Sequence, residues 1–231
     1  MNGPKSAPRL ALFDIDGTLL NEPSSEKRFM LWLFLKGRIG PIRLLAYALF
    51  ALCYFPRYGL KVFAKNKSLL WRRTVGSAEA LAREWAAGGL ETALYEPCFE
   101  RLRAHQRAGD IVVLLSGTPS VLADAIAERL GIDNVVATEC AVRAGRYGFA
   151  PPTVHRVGEA KLASARGLCV RFETTLADTA AYGNSLSDLP LLGACGIPVA
   201  VNPDSALAAT ACEKGWEVVG SPARGRIRAS A

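Results

Sequence analysis

The chain has 231 residues, 50% of them hydrophobic and 21% charged, which suffices for one sizeable buried core and a modest second unit. It carries 28 Lys and Arg against 21 Asp and Glu, for a formal net charge of +7. Its six cysteines are scattered without a C-x-x-C pair, and its two histidines lie far apart in sequence. A disulfide framework and a histidine zinc site are therefore excluded, and the cysteines favour a reduced, cytoplasmic protein. The first eight residues hold no apolar targeting core, so we expect no secretory signal.

The first predicted strand, at residues 10–13, runs directly into Asp-Ile-Asp-Gly-Thr at residues 14–18. Alternation along a strand sends Asp14 and Asp16 to the same side, at the carboxyl edge where open α/β sheets bind ligands. One carboxylate could then attack a substrate while its neighbour handles protons, and Gly17 allows a sharp turn. The alternative is a strand followed by an ordinary Asp-Gly turn, and only further motifs can decide between the two.

The segment from Phe29 to Trp71 combines positive charge with long apolar runs. Between Lys27 and Arg73 the sequence has eleven Lys and Arg and no Asp or Glu. Residues 29–35 and 44–55 are entirely apolar. Gly-Pro at residues 40–41 predicts a break between two helices, and Pro56 predicts the end of the second one.

Apolar runs of this length have several possible environments. A transmembrane helix needs roughly twenty apolar residues, and runs of about 10–14 are more often interfacial or buried. Apolar faces edged by Lys and Arg, with Trp and Tyr nearby, are typical of helices lying on an anionic bilayer. We therefore predict that residues 29–71 contact an anionic membrane at its inner face, with a dry cap or a protein interface as alternatives. Nucleic acid is not expected, because the cations alternate with aliphatic runs and form no polar groove.

Three later motifs each lie next to a predicted strand or helix. The apolar residues 111–115 lead into Ser-Gly-Thr-Pro at 116–119 and then a helical pattern over 121–130. A hydroxyl and free N–H groups at a helix start suit phosphate binding, although Ser116 could simply cap the helix. Lys161 lies at the front of another predicted helix. A short strand then leads into Gly-Asn-Ser-Leu-Ser-Asp, which places Asn184 and Asp188 before a helix with Pro190 in its first turn.

The ordered set of these motifs resembles the haloacid dehalogenase superfamily of phosphohydrolases, over about residues 10–219. Within it the chain looks like the phosphoserine-phosphatase-like subfamily IB, and its layout is similar to that of bacterial phosphatidylglycerophosphate phosphatases. The resemblance implies an α/β fold, with a Rossmann-like doubly wound parallel sheet and an inserted α-helical cap of the C1 type. Strand–helix alternation after residue 100 also favours a parallel sheet. We predict a core at 9–22 and 98–220, a cap at 23–97, and flexible tails at 1–8 and 221–231.

The resemblance also implies a Mg²⁺-dependent phosphomonoester hydrolase with a role for each motif residue. Asp14 would be the nucleophile that forms an aspartyl-phosphate, and Asp16 would protonate the leaving group and then activate water. Lys161 would offset the charge of the phosphate and the nucleophile. The implied phosphate-binding residues are Thr18, Ser116, Gly117 and Lys161, and the implied metal ligands are Asp14, Asp16 through its backbone carbonyl, Asn184 and Asp188.

The fourth motif departs from the family pattern, because Asn184 stands where an acid is usual. An amide oxygen can bind Mg²⁺ but brings no charge, so we predict weaker metal binding, with a larger contribution from Asp188.

Three functions remain open at this stage. The first is a phosphatase for a lipid or lipid-precursor phosphate at the membrane surface. The second is a soluble phosphatase for phosphoserine or a sugar or polyol phosphate. The third is a weakly catalytic phosphotransferase or a membrane-bound binding protein. Dehalogenation is disfavoured, because Asp16 supplies acid–base chemistry that phosphoryl transfer needs and dehalogenation does not.

Overall fold

The structure, a computed structural model, describes residues 9–221, so the predicted tails lie outside the described residues except for Ser221. Six strands form one sheet in the order β3-β2-β1-β6-β7-β8, with every neighbouring pair parallel, and β4 and β5 form a separate hairpin. The strands of the described region are β1 (Leu10–Phe13), β2 (Ile111–Pro119), β3 (Asn134–Thr138), β4 (Val142–Arg143), β5 (Arg146–Tyr147), β6 (Ala180–Gly183), β7 (Ile197–Val201) and β8 (Glu217–Val219).

Helices cover both faces of this sheet, and four of them are inserted directly after β1. The helices of the described region are α1 (Ser25–Leu35), α2 (Pro41–Tyr58), α3 (Val62–Lys65), α4 (Val75–Gly89), α5 (Glu96–Ala108), α6 (Ser120–Leu130), α7 (Glu159–Arg171), α8 (Leu189–Ala194) and α9 (Ser205–Lys214). A doubly wound parallel sheet with a helical insert confirms the predicted fold class. The domain limits at residues 22 and 97 stay a prediction, and α1 to α4 fall within the predicted cap.

The central strand β1 is buried on both of its faces. Ala11 and Phe13 belong to an apolar cluster shared with α4, α5 and α6, while Leu10 and Leu12 belong to a second cluster shared with α7, α8 and α9. This two-sided burial explains why β1 and the start of β2 read as continuous apolar runs in the sequence. Each fully buried large side chain of this kind contributes roughly 1.5–3 kcal/mol to folding.

The order β2-β1-β6 brings the ends of three motif-bearing strands together at one edge of the sheet. Strand β2 continues to Pro119, so the prediction that it ends before Ser116 is wrong. Its pairing with β3 becomes irregular between Leu115 and Pro119, but the segment stays extended through this irregularity. Because side chains alternate along a strand, the hydroxyls of Ser116 and Thr118 lie on the same side.

The inserted helices follow the predicted break but not the predicted end. Pro41 begins α2 after Gly40, as expected. Pro56 does not end α2, because it lies in the last turn and the helix runs on to Tyr58. Proline disturbs only the turn that precedes it, and the helix stops at Gly59, where φ is 53°.

The hairpin β4–β5 turns at Ala144 and Gly145, and both residues have positive φ. It extends from the core towards the inserted helices. The Phe149 ring that follows it lies 5.6 Å from the Phe50 ring and 5.7 Å from the Trp71 ring. Core and insert are therefore joined by aromatic packing as well as by the chain.

Helices α1 and α2 keep many large apolar side chains exposed to solvent. Leu52 of α2, for example, is 72% exposed. No helix among residues 9–221 is both long and apolar enough to cross a membrane. The exposed apolar residues of the insert are Leu31, Phe34, Leu35, Ile42, Leu44, Leu45, Leu49, Leu52, Phe55, Leu60 and Phe63.

Candidate active site

Lys161 lies between two carboxylates at the centre of the carboxyl edge. Its Nζ is 2.9 Å from Asp14 Oδ1 and 2.6 Å from Asp188 Oδ1. The lysine is the third residue of α7, and it is only 3% exposed. One buried cation thus joins the residue after β1 to the loop after β6, which are far apart in sequence.

Burial and neighbouring charges shift the pKa values of Asp14 and Lys161 in opposite directions. Burial raises the pKa of Asp14 to about 6, against the lowering effect of Lys161, and Asp188 raises it further. Burial lowers the pKa of Lys161, but Asp14 and Asp188 outweigh it and hold that pKa above its ordinary value. At neutral pH Lys161 is therefore a cation, and Asp14 is mainly ionised, as a nucleophile must be.

The Asp188 carboxylate is fully engaged by protein groups. Its Oδ1 accepts from Lys161, while its Oδ2 accepts from the backbone N–H of Asn184 at 3.2 Å and of Ser185 at 3.1 Å. The Ser185 hydroxyl donates to the same Oδ2 at 3.0 Å. A Cβ at Gly183 would lie 2.7 Å from the Asp188 Cβ, so glycine leaves the room that this side chain needs. The arrangement fixes the position of Lys161.

Asn184 packs directly against the turn that follows the first motif. Gly17 has a φ of 79°, and a Cβ there would lie 2.0 Å from Asn184 Nδ2. Glycine is therefore needed both for the backbone conformation and for the approach of the amide. The Asn184 amide makes no side-chain hydrogen bond to any residue between 9 and 221, so its oxygen is available to a ligand.

The Asp16 carboxylate is held between the inserted helices and the core. Its Oδ1 accepts from the Ser25 backbone N–H at 2.6 Å, and its Oδ2 accepts from the Ser25 and Thr118 hydroxyls at 3.1 and 2.9 Å. Ser25 is the first residue of α1, whereas Thr118 lies on β2. The Ser116 hydroxyl donates to Thr118 Oγ1 at 3.1 Å. The orientation of Asp16 thus depends on where α1 sits relative to β2.

A cavity of about 510 Å³ opens at this edge and contains most of the predicted site residues. Thr18 and Asp188 do not line it. Thr18 is fully buried, and its hydroxyl has no hydrogen-bond partner in the described part of the chain. The predicted site residues that line the cavity are Asp14, Asp16, Ser116, Gly117, Lys161 and Asn184.

The far wall of the cavity is formed by residues that the sequence analysis did not place in the site. Glu26 of α1 forms an ion pair with Lys67, and burial raises the pKa of the Glu26 carboxyl despite that pairing. Burial, helped by Lys65 and Lys67, lowers the pKa of His155 to about 4, so this imidazole is neutral. The sequence signal for Glu26 as a site residue was its position shortly after the first motif. No local sequence pattern indicated Lys67, which lies 41 residues after Glu26.

A family model for haloacid dehalogenase-like hydrolases matches residues 11–193, which covers the whole of this edge. The chain belongs to this family. The match includes the motifs that carry Asp14, Ser116, Lys161 and Asn184, and it confirms the superfamily that those motifs predict.

Several similar proteins are phosphatases by name. The chain is 32% identical over 148 residues to phosphoserine phosphatase SerB1 of Mycobacterium tuberculosis, covering 63% of this chain but only 47% of that protein. It is 30% identical over 222 residues to histidinol-phosphatase of Neisseria meningitidis serogroup C, covering 91% and 97% of the two chains. A solved structure of a protein of unknown function from Bordetella pertussis Tohama I matches with a TM-score of 0.77 and 27% identity, covering 93% and 99%. The chain spans about half of the first relative and nearly all of the second. The chain is thus a haloacid dehalogenase-like hydrolase, as predicted, and several of its relatives are named as phosphatases.

The donor set at the edge fits a hard divalent cation of the kind that phosphatases of this family generally use. Residues 9–221 contain no group of three or more His, Cys, Asp or Glu arranged to hold a metal ion. The available donors are instead the Asp14 carboxylate, the Asp16 backbone carbonyl and the Asn184 amide, all of them oxygens next to the cavity. Mg²⁺ accepts such a set when water completes its shell, and a set with one carboxylate predicts modest affinity.

Proposed function

We propose that this protein is a phosphatase, which hydrolyses phosphate monoesters with Mg²⁺ through an aspartyl-phosphate formed on Asp14. The observation that carries the proposal is the placement of Lys161 between Asp14 and Asp188 in a cavity-lining, water-poor setting. A carboxylate can approach an anionic phosphate only if nearby positive charge offsets their repulsion. Lys161 supplies one such charge at 2.9 Å from the attacking group.

Each remaining residue of the edge has a role consistent with this chemistry. Asp14 would attack phosphorus, while Asp16 would give a proton to the leaving oxygen and later take one from the attacking water. The three donors on Asp16 support a fixed orientation for these transfers. Ser116 and Gly117 line the cavity where phosphate oxygens would bind. Thr18 has no contact with the cavity, so its proposed contribution is to the shape of the loop.

The metal would be held by Asp14, the Asp16 carbonyl and Asn184, and when bound it would supply further positive charge to the phosphate oxygens. Asp188 was expected among the ligands, and that role stays a prediction that its surroundings do not favour. Both of its carboxylate oxygens already accept hydrogen bonds, so we assign it the positioning of Lys161.

The test of this proposal is hydrolysis of p-nitrophenyl phosphate. We expect turnover that requires Mg²⁺ and that falls by at least about a thousandfold in Asp14→Asn, which keeps the shape but removes the nucleophile. Asp178→Asn, in a surface turn away from the cavity, is the matched control and should stay active. Mg²⁺-independent turnover, or an active Asp14→Asn enzyme, would reject the mechanism. No turnover by the wild type would instead favour the weakly catalytic phosphotransferase or binding protein.

We further propose that the substrate is a lipid or lipid-precursor phosphate reached at an anionic membrane surface. The support lies in the insert, whose exposed apolar side chains extend to the mouth of the cavity. Phe63 lines the cavity and is also 52% exposed, and Leu60 is exposed nearby on the same surface segment. Together with eleven cations and no acid between Lys27 and Arg73, this surface suits the boundary between head groups and acyl chains.

Liposome flotation tests the membrane part separately from the chemistry. Leu52→Asp, on the exposed face of α2, should reduce binding to anionic vesicles several-fold, because the aspartate cannot enter the apolar boundary. Val170→Asp is the matched control, because Val170 is 82% exposed but lies on α7 of the core. Equal binding by both variants, or no binding by the wild type, would contradict the membrane proposal.

A soluble substrate is the second candidate, and the far wall of the cavity favours it. The ion pair between Glu26 and Lys67, with Tyr47 and neutral His155 nearby, makes that wall suitable for a polar leaving group. A panel of esters that includes phosphoserine, histidinol phosphate, glycerol phosphate and a lipid phosphate in detergent separates the two candidates. A preference of more than tenfold in kcat/KM for one class decides between them.

A further inference from the structure

Three arginines of the insert lie close together. Arg38 lies in the loop after α1, Arg43 in the first turn of α2, and Arg73 just before α4. The Arg73 guanidinium donates from Nη2 to the Arg38 backbone carbonyl at 2.6 Å. Burial, with help from the charges of Arg43 and Arg38, lowers the pKa of Arg73 to about 10. None of the three lines the catalytic cavity.

This cluster has no counter-charge in the described part of the chain. None of its members forms an ion pair within residues 9–221, in contrast to Arg83 and Arg129, which pair with glutamates. The buried Nε atoms of Arg43 and Arg73 have no hydrogen-bond partner there, and Arg73 as a whole is only 8% exposed. Residues 1–8 and 222–231 contain no Asp or Glu that could serve instead. A buried guanidinium with no counter-charge and an unpaired Nε is costly, so an anion from outside these residues would stabilise the cluster.

The helix α2 adds to this positive potential. It has 18 residues, and its N-terminus carries no acidic residue in the first turn and no side-chain cap. The N-terminal end of a helix is the positive end of its dipole, where a cation such as Arg43 is unfavourable and an anion is stabilised. The cluster and the helix end thus favour the same kind of ligand for independent reasons.

Next to the arginines in sequence, the insert forms an apolar groove of about 320 Å³. Ile42 directly precedes Arg43 and Trp71 lies two residues before Arg73, and both line the groove. The whole lining is apolar and consists of Ile42, Leu45, Ala46, Leu49, Trp71 and Phe149. A ligand that matches both features carries a phosphate group attached to an apolar chain.

We propose that Arg38, Arg43 and Arg73 bind the head-group phosphate of an anionic membrane lipid, while the apolar groove takes part of its chain. The site rests on guanidiniums that have no ion-pair partner among residues 9–221, and it relies on the proposed membrane attachment only for the source of the phosphate. It would hold the enzyme at the bilayer at a point separate from the catalytic cavity. Charge complementarity selects this occupant over a second copy of the chain, whose own insert is equally basic.

Thermal unfolding in EDTA tests the anion site without engaging Mg²⁺ chemistry. Inorganic phosphate should raise the melting temperature of the wild type more than chloride does at equal ionic strength. Arg43→Gln should lose most of that gain, yet should melt higher than the wild type at low salt, because a repelling cation is gone. Lys61→Gln is the control, an exposed cation of the same insert outside the cluster. Phosphate bound in the catalytic cavity would raise the melting temperature of all three proteins by the same amount, so it does not contribute to the difference between them.

Vesicle binding then tests the source of the phosphate. Against vesicles of phosphatidylglycerol and phosphatidylcholine, Arg43→Gln should bind at least about fivefold more weakly than the wild type, and Lys61→Gln should lose clearly less. Vesicles of phosphatidylcholine alone should bind little of any variant. Hydrolysis of p-nitrophenyl phosphate by Arg43→Gln should match the wild type, so a failure of the anion site and a failure of the proposed catalysis are seen separately.

Three outcomes would overturn the proposal. If phosphate stabilises the wild type through Arg43 but vesicles do not bind, the site takes a soluble phosphate and the lipid assignment is wrong. If phosphate gives no gain over chloride and Arg43→Gln melts lower at low salt, Arg43 is a packing residue and there is no anion site. Equal loss of vesicle binding in Arg43→Gln and Lys61→Gln would mean a diffuse basic surface, and this would also reject the site.

Discussion

The candidate active-site edge and the inserted helices of this protein differ in how their buried cations are paired. At the edge, Lys161 has a carboxylate oxygen of Asp14 at 2.9 Å and of Asp188 at 2.6 Å. In the insert, Arg43 and Arg73 keep buried nitrogens without any partner among the described residues. At the edge the buried cation has its counter-charges within the protein, whereas the arginines of the insert have none among residues 9–221. This difference indicates which region performs chemistry and which contacts a partner.

The largest loss of stability and activity is expected for Lys161→Met, which removes the cation between Asp14 and Asp188. The substitution leaves the Asp14 and Asp188 carboxylates buried without a cation, which costs about 3–5 kcal/mol in unfolding free energy. Hydrolysis of p-nitrophenyl phosphate should fall by at least about a hundredfold, because nothing offsets the repulsion between Asp14 and the phosphate. Urea unfolding and steady-state kinetics measure the two losses.

Lys214→Met is the control for this prediction, because Lys214 is exposed at the end of α9. It should change the unfolding free energy by less than about 0.5 kcal/mol and leave activity intact. If Lys161→Met changes stability and activity as little as Lys214→Met does, Lys161 does not form the two ion pairs that the distances indicate.

A smaller effect is expected from Gly17→Ala, which tests the close packing within the edge. Gly17 and Gly109 share the same φ of 79°, but a Cβ at Gly109 meets nothing within 4 Å, whereas one at Gly17 meets the Asn184 amide. Gly109→Ala should therefore lose only about 1 kcal/mol, for backbone strain alone. Gly17→Ala should lose more stability and should also weaken the response to Mg²⁺, because Asn184 is displaced. Equal losses without any change in Mg²⁺ dependence would show that Asn184 is not held there for a ligand.

The smallest effect concerns His155, which lines the cavity and lies near the cations Lys65 and Lys67 of the insert. Its pKa is lowered from 6.5 to about 4, so the folded state resists protonation. The stability that depends on neutral His155 is fully present above pH 6.5 and is lost as the pH falls towards 4. His155→Gln should therefore lose less unfolding free energy than the wild type between pH 7.5 and pH 5. An identical pH dependence for both proteins would show that His155 is not buried beside these cations.

The sequence was sufficient to predict the fold and the residues that meet at the catalytic edge. Continuous apolar strands, each followed by a polar motif, imply a parallel sheet, and parallel strands bring their carboxyl ends to one edge. This reasoning brings Asp14, Ser116 and Asn184 together without any knowledge of the contacts between them. The prediction of the end of α2 was wrong, because the helix continues past Pro56 to Tyr58.

The contacts between the insert and the core could not be predicted. Ser25 and Thr118 both donate to Asp16, but one belongs to α1 and the other to β2, so no local pattern joins them. The partnership of Glu26 with Lys67 depends in the same way on how the helices fold over the sheet. Charge counting located the basic insert correctly, but only the packed structure distinguishes an unpaired arginine such as Arg73 from a solvated one.

The most direct test of the central claim is to find where the phosphoryl group goes during turnover. The enzyme would be mixed with substrate and Mg²⁺, quenched in acid and digested, and its peptides analysed by mass spectrometry. The account predicts one phosphoryl group on Asp14 during turnover, with none on the corresponding peptide of Asp14→Asn. Steady hydrolysis with no phosphorylated peptide, or with the phosphoryl group on any other residue, would contradict it.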